Sequence, residues 1–98
     1  MNDFMLDNIR GQTSRIAWRE LARFFAGGKV LFVDNSLNLV EVAAAVSSDN
    51  IQAVSQWMDD NRLAPVSDEQ ALGWEQKDEH LWAVVTAPWV LVQLVKKQ

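Results

Sequence analysis

The stretch from Leu37 to Leu63, LNLVEVAAAVSSDNIQAVSQWMDDNRL, constrains the fold more than any other part of the chain. Its first half fits two periodicities. A strand would place on one face Val40, Val42, Ala44 and Val46. A helix would form an apolar stripe at positions i, i+3, i+4 and i+7, made of Leu39, Val42, Ala43 and Val46. Three consecutive alanines favour the helix, and Asn38 with Glu41 three residues later is typical of a helix N-terminus. The spacing therefore predicts a helix over residues 39–46.

The second half of this stretch predicts another helix. Asp49 can cap it, Gln52 follows three residues later, and an apolar stripe recurs along one face. That stripe consists of Ile51, Val54, Trp57 and Met58. Because only a few polar residues separate the two helices, the connection must be a sharp turn. The pair therefore predicts a helix-turn-helix arrangement.

The flanking segments supply further short elements. Residues 3–10 and 14–26 predict helices, and Gly27 and Gly28 end the second. Further segments follow from β-branched content, turn residues and a Ser67–Gln70 capping pattern. Counted with the helix, the segments are five: strands at 29–34, 81–87 and 89–94, an extended piece at 63–66 and a helix that begins after Ser67.

This order of elements predicts an α+β fold: a winged-helix-like single domain, helix-rich with a small antiparallel sheet. The alternative is a three-stranded antiparallel sheet in which 29–34 and 39–46 form a hairpin. We rank the winged-helix-like fold ahead of it. The 98 residues are expected to form one domain, 1–98, with residues 1–12 as a loosely attached N-terminal segment.

Composition narrows the class of protein. The chain has no cysteine, so neither disulfides nor thiolate metal sites are expected. The first residues, MNDFMLDNIR, carry acids where a signal peptide would be basic. The longest apolar run, Leu81 to Val95, is interrupted by polar residues and proline and is shorter than the ~20 residues of a membrane helix. We therefore expect a cytoplasmic protein without a membrane partner.

The charge is unevenly distributed along the chain. Residues 1–33 carry five bases and three acids, whereas residues 34–80 carry two bases and ten acids. The predicted recognition helix lies in the acidic part, where three acids would repel a polyanion, so DNA is an unfavourable partner. Arginines repeat every four residues along the predicted helix 14–26, at Arg15, Arg19 and Arg23. This basic ridge is the candidate surface for an anionic partner, although a solvated helix face explains it more simply.

Motifs for catalysis are weak. His80, beside Asp78 and Glu79, is the one side chain suited to proton transfer near neutral pH, and such a triplet is common in loops. The glycine pair at 27–28 follows a helix and lacks the rest of a phosphate-binding loop. The sequence therefore predicts a non-enzymatic protein with no catalytic residues, no cofactor and no metal site.

Tryptophans suggest where the chain meets a partner. Four of them fall on apolar stripes or strands and are expected in the core: Trp18, Trp57, Trp74 and Trp82. Trp89 follows Pro88 on a segment that could extend beyond the sheet, and an uncovered apolar segment must be paired or buried. The predicted interface is Trp89, Val90, Leu91 and Val92, packed against another protein or a second copy in a homodimer.

Four segments resemble a known family: IAWRELARFFA, LVEVAAAV, WMDDNRLAPVSDEQA and LWAVVTAPWVLVQ. They are similar to a family of small bacterial proteins described only as a domain of unknown function, from about Arg15 to Gln93. The resemblance implies a bacterial cytoplasmic protein made of one self-contained domain, and it implies no activity. The function remains unknown from sequence. The leading hypothesis is a small protein-interaction domain, and the alternative is a nucleic-acid-binding regulator that uses the basic ridge.

Overall fold

The computed structural model describes residues 14–86 and 88–95. Its elements, in chain order, are β1 (Ser14–Ala17), α1 (Trp18–Ala26), β2 (Val30–Val33), α2 (Leu39–Ser47), α3 (Ile51–Asp59), β3 (Leu63–Pro65), α4 (Asp68–Gln76), β4 (His80–Thr86) and β5 (Trp89–Leu94). Most of the predicted elements are therefore confirmed, including the helix over 39–46. The predicted helix 3–10 and the segment 1–12 lie outside the described residues.

Within the described residues, five strands form one mixed sheet in the order β1-β4-β5-β2-β3. β5 pairs in parallel with β2, with Val30 opposite Val90, and antiparallel with β4, with Val84 opposite Leu91. The edge strands β1 and β3 pair antiparallel with β4 and β2. Pro65 is the last residue of edge strand β3, a position where proline costs no ladder hydrogen bond.

The sheet separates two apolar cores. One face, here called the α1/α4 face, is covered by α1 and α4; its buried residues include Trp18, Leu21, Trp74, Leu81, Ala83, Val90 and Val92. The opposite face, the α2/α3 face, is covered by α2 and α3; its buried residues include Leu31, Val33, Leu39, Val42, Leu63, Val84 and Leu91. Alternate residues of each central strand enter opposite cores, because successive side chains of a strand point to opposite faces. The architecture is therefore helix, sheet, helix.

The winged-helix-like prediction is wrong, although the α+β class is right. A winged helix has a small antiparallel sheet, whereas here β5 lies in the middle of a five-stranded mixed sheet among the described residues. The hairpin alternative is also wrong, because residues 39–47 form α2 and pack on the sheet instead of joining it. The physical reason is that β2 and β5 are apolar on both faces, and such strands require cover on both sides.

The predicted helix over 14–26 begins too early. Residues 14–17 form edge strand β1, in which Ile16 pairs opposite Leu81 of β4. The chain then turns into α1 at Trp18, whose backbone N–H donates to the Glu79 carbonyl at 2.9 Å. A contact between segments so distant in sequence overrides the local helical spacing.

Side-chain caps fix the starts of three helices. Asn38 Oδ1 accepts from the backbone N–H groups of Val40 and Glu41 at 2.9 and 3.2 Å. Ser67 and Gln70 form the predicted reciprocal capping box at the start of α4. Asn50, not Asp49, caps α3, because Asp49 has a left-handed backbone with φ 58° and forms the turn between the two helices. No helix among the described residues has the length and apolar character to span a membrane.

Candidate functional site

The predicted interface segment lies mostly inside the protein. Val90, Leu91 and Val92 belong to the central strand β5 and are at most 2% exposed, so they cannot form a surface. Trp89 differs, because it is the first residue of β5 and is half-buried on the α2/α3 face. The interface prediction is therefore wrong for three of its four residues and remains open for Trp89.

The predicted arginine ridge is divided between the two faces of the sheet. Arg15 lies in β1 opposite Trp82, with its guanidinium 5.9 Å from the indole centroid on the α2/α3 face. Arg19 and Arg23 lie on α1, which packs on the other face. Arg19 forms an exposed ion pair with Asp78 at 3.4 Å. The three cations therefore do not form one continuous surface, because α1 starts after Arg15.

His80 is the exposed first residue of β4, opposite Ala17 of edge strand β1. Within the described residues, no group of three or more His, Asp or Glu side chains is arranged to hold a metal ion. Trp82, predicted to be in the core, is 37% exposed because it lies beside the edge strand, where no described helix covers it fully.

An apolar groove of about 400 Å³ lies at one end of the α2/α3 face. We call it the Ile51 groove. Its walls come from α3, from the α2–α3 turn, and from the start of β5, and its floor includes Leu31 of β2. The main apolar lining residues are Leu31, Val46, Ile51, Val54, Met58, Pro88 and Trp89. The groove therefore contains Trp89, the part of the predicted interface that stays at the surface.

The Ile51 groove carries large apolar side chains that the fold does not cover. Ile51 is 72% exposed and Met58 is 42% exposed. The other half of the same helical stripe, Val54 and Trp57, packs against the α2/α3 core. Since the helix α3 contains no fully buried residue, it is the least embedded of the four described helices.

The polar groups beside the groove differ in what they can do. Ser47 and the buried Thr86 share a hydrogen bond of 2.6 Å, which ties the end of α2 to the end of β4. Asn50 accepts from the Ala53 N–H at 3.2 Å as the cap of α3. Asp49 lines the groove from the turn. On the strand side, Lys29 Nζ lies 5.6 Å from the centroid of the Trp89 ring.

A second, shallower hollow of about 440 Å³ lies at the start of α2, beside Trp82. Its polar side chains are engaged by the fold. Gln93 Nε2 donates to the carbonyls of Asp34 and Leu37 at 3.0 and 2.8 Å, and Asn35 Nδ2 donates to the Leu94 carbonyl at 2.9 Å. The hollow therefore serves mainly to anchor the β2–α2 loop to β5.

The sequence did not single out Ile51, Met58 or Leu31 as surface residues. Ile51 and Met58 were predicted only as part of the apolar stripe of α3, and the strand residue Leu31 gave no separate signal. Because such a stripe ordinarily faces the core, periodicity alone did not indicate that its two ends are exposed.

Comparison with known proteins gives a family and a fold. The family described as "Protein of unknown function (DUF2288)" matches residues 5–94. The chain is 39% identical in sequence to PA1075 from Pseudomonas aeruginosa, whose NMR solution structure superposes on it with a TM-score of 0.84. The match covers 96% of this chain and 87% of PA1075. No curated protein matches the chain.

Proposed function

The chain belongs to the DUF2288 family, whose function is unknown, and we propose that it is a non-enzymatic protein-interaction domain that binds a protein partner through the Ile51 groove. The observation that carries this proposal is the juxtaposition of exposed Ile51 and Met58 with half-buried Trp89 around one concavity. Large apolar side chains clustered at a concave surface are typical of protein interfaces, in which aromatic and methionine residues are enriched.

The groove also has the shape expected of an interface centre. Its floor, Leu31, is held rigidly in the sheet, whereas the rim residues Ile51 and Met58 stand at the ends of the helical stripe. A partner side chain that entered the groove would be desolvated by Trp89 on one side and α3 on the other. Anchors of this kind, surrounded by residues that exclude water, contribute most of the binding energy of an interface.

Binding explains the groove better than catalysis does. The Ser47 hydroxyl and the side-chain oxygen of Asn50 already have partners in the fold, and Asp49 and Ser55 are the other polar side chains of the lining. His80 does not line the groove. A groove whose lining is mostly apolar offers apolar contact, and this supports recognition of another macromolecule.

The test compares two variants with equally radical changes. Ile51→Asp places a charge in the groove, and Leu72→Asp places one on α4, where Leu72 is 57% exposed on the other side of the sheet. The tagged full chain and both variants are used to capture proteins from the source organism, with quantification by mass spectrometry. We expect the wild type and Leu72→Asp to enrich the same defined protein. The amount of that protein captured by Ile51→Asp should be at least about tenfold lower.

Equal loss in both variants, or in neither, would contradict the proposal. Circular dichroism of each variant shows that the fold is retained, and Met58→Glu provides a second, independent change in the groove. A gel-shift series against salt tests the alternative function. A steep loss of nucleic-acid binding with salt, unchanged by Ile51→Asp, would favour a nucleic-acid-binding regulator instead.

A further inference from the structure

Opposite charges stand on the two sides of the Ile51 groove. On the helical side, Asp49 lines the groove from the turn before α3. On the strand side, the ammonium of Lys29 lies over the Trp89 ring. We call the side of the groove that Asp49 lines its acidic wall, and the side with Trp89 and Lys29 its basic wall.

Such a surface is complementary to its own copy after a two-fold rotation. In an isologous dimer the same patch occurs on both subunits, so a contact between residues i and j is made twice. A rotation about an axis through the groove brings the acidic wall of one subunit to the basic wall of the other. The apolar rims of the two copies, each with an exposed Ile51 and Met58, then cover one another.

We propose that the partner that occupies the Ile51 groove is a second copy of this chain, in an isologous dimer with Lys29 of each subunit facing Asp49 of the other. This inference rests on the proposed function, because it names the partner of the same groove. A uniformly acidic partner could pair with Lys29 but would oppose Asp49, and a uniformly basic one could pair with Asp49 but would oppose Lys29. A second copy presents both charges in the required order.

The expected dimer is weak. A stable interface buries about 800 Å² per partner, which is roughly one eighth of the 6519 Å² accessible surface of this chain. The groove supplies an apolar centre with few large anchors, and the charges lie at a solvated rim, where ion pairs contribute little. We expect a dissociation constant of about 10–100 µM.

The experiment is sedimentation-velocity ultracentrifugation of the full chain, up to about 500 µM, with charge variants of both walls. Lys29→Glu and Asp49→Lys each place like charges at two symmetric contacts, so each should weaken the dimer about tenfold or more. An equimolar mixture of the two variants restores both contacts and should dimerise like the wild type. Asp49→Asn removes the charge while keeping a residue that tolerates the left-handed backbone, and it should weaken the dimer less.

The outcomes separate this inference from the proposed function. Ile51→Asp should abolish the dimer, and Leu72→Asp should leave it unchanged. A monomer at all concentrations, or a dimer whose stability ignores the charge variants and their mixture, would overturn the second-copy assignment. If the capture experiment still shows a partner lost only with Ile51→Asp, the groove remains an interface for a different protein. If Ile51→Asp changes neither result, both proposals fail.

Discussion

The contrast between Leu91 and Ile51 offers the most informative test of how this chain divides its apolar residues. The sequence predicted Leu91 at an interface and Ile51 on the apolar stripe of a helix. In the structure Leu91 is fully buried in the central strand, and Ile51 is 72% exposed. Leu91→Ala should therefore reduce stability, whereas Ile51→Ala should leave it nearly unchanged.

The magnitude for Leu91 follows from its position. Its side chain contributes to the α2/α3 core beneath α2, where the sheet prevents the surrounding structure from collapsing into the space left by the mutation. Leu→Ala at such a site costs about 2–5 kcal/mol, through the lost transfer free energy and the residual cavity. A domain of this size has a free energy of unfolding of about 5–15 kcal/mol, so the loss is a large fraction of the total.

Ile51 lies at the first position of α3 with most of its surface in water. Truncation to alanine removes little buried area, and alanine is the better helix former, so the free energy of unfolding should change by less than about 0.5 kcal/mol. Its effect should fall on association instead. The two variants thus separate folding from binding.

Urea denaturation at a protein concentration well below that of association measures the difference. If Leu91→Ala lowers the free energy of unfolding by about 3 kcal/mol and leaves the m-value unchanged, its urea midpoint should fall by about 1–3 M. Ile51→Ala should overlay the wild type. Equal losses in the two variants, or a stable Leu91→Ala protein with impaired association, would refute the arrangement in which β5 is the centre of the sheet.

Substitutions at three further places test local parts of the fold. Gln93→Leu removes the donor of the Leu37 carbonyl and one of the two donors of the Asp34 carbonyl, which keeps the Leu37 N–H, and should cost about 1–3 kcal/mol in thermal unfolding. Gln56→Leu, on the exposed surface of α3, should cost less than about 0.5 kcal/mol. Ser67→Ala removes the capping box of α4 and should cost about 1 kcal/mol, which a urea titration resolves. Ser47→Ala and Thr86→Val should each destabilise the protein by about 1 kcal/mol, and the double variant by less than their sum in a double-mutant cycle, because they break the same hydrogen bond.

Local signals in the sequence were sufficient to predict most of the elements. The helix over 39–46 was predicted correctly because its alanines and the Asn38 cap act within one or two turns. The capping box of α4 and the break at Pro88 were predicted for the same reason. These features depend on neighbouring residues alone, so they can be recognised without knowing the rest of the fold.

Strand pairing could not be predicted in this way. The parallel contact of β2 with β5 joins segments about sixty residues apart in sequence, and the β1–β4 contact is similarly distant. Nothing near Arg15 indicates a strand, because the arginines at every fourth residue continue a helical spacing into β1. The apolar runs Val30–Val33 and Trp89–Val92 did carry a usable signal: strands without polar alternation are covered on both faces. That signal indicates a central position in a sheet layered between helices.

The candidate site was missed because a helical stripe shows which residues share a face and does not show how much of that face is covered. On α3 the middle of the stripe, Val54 and Trp57, packs against the α2/α3 core, while Ile51 and Met58, near its two ends, stay exposed. The uncovered part lies next to Trp89, the first residue of the strand whose next three residues fill the interior. The Ile51 groove therefore forms where the start of β5 lies beside the exposed residues of α3. If the groove served only folding, polar residues at positions 51 and 58 would be as stable and more soluble, so their apolar character favours a role in binding.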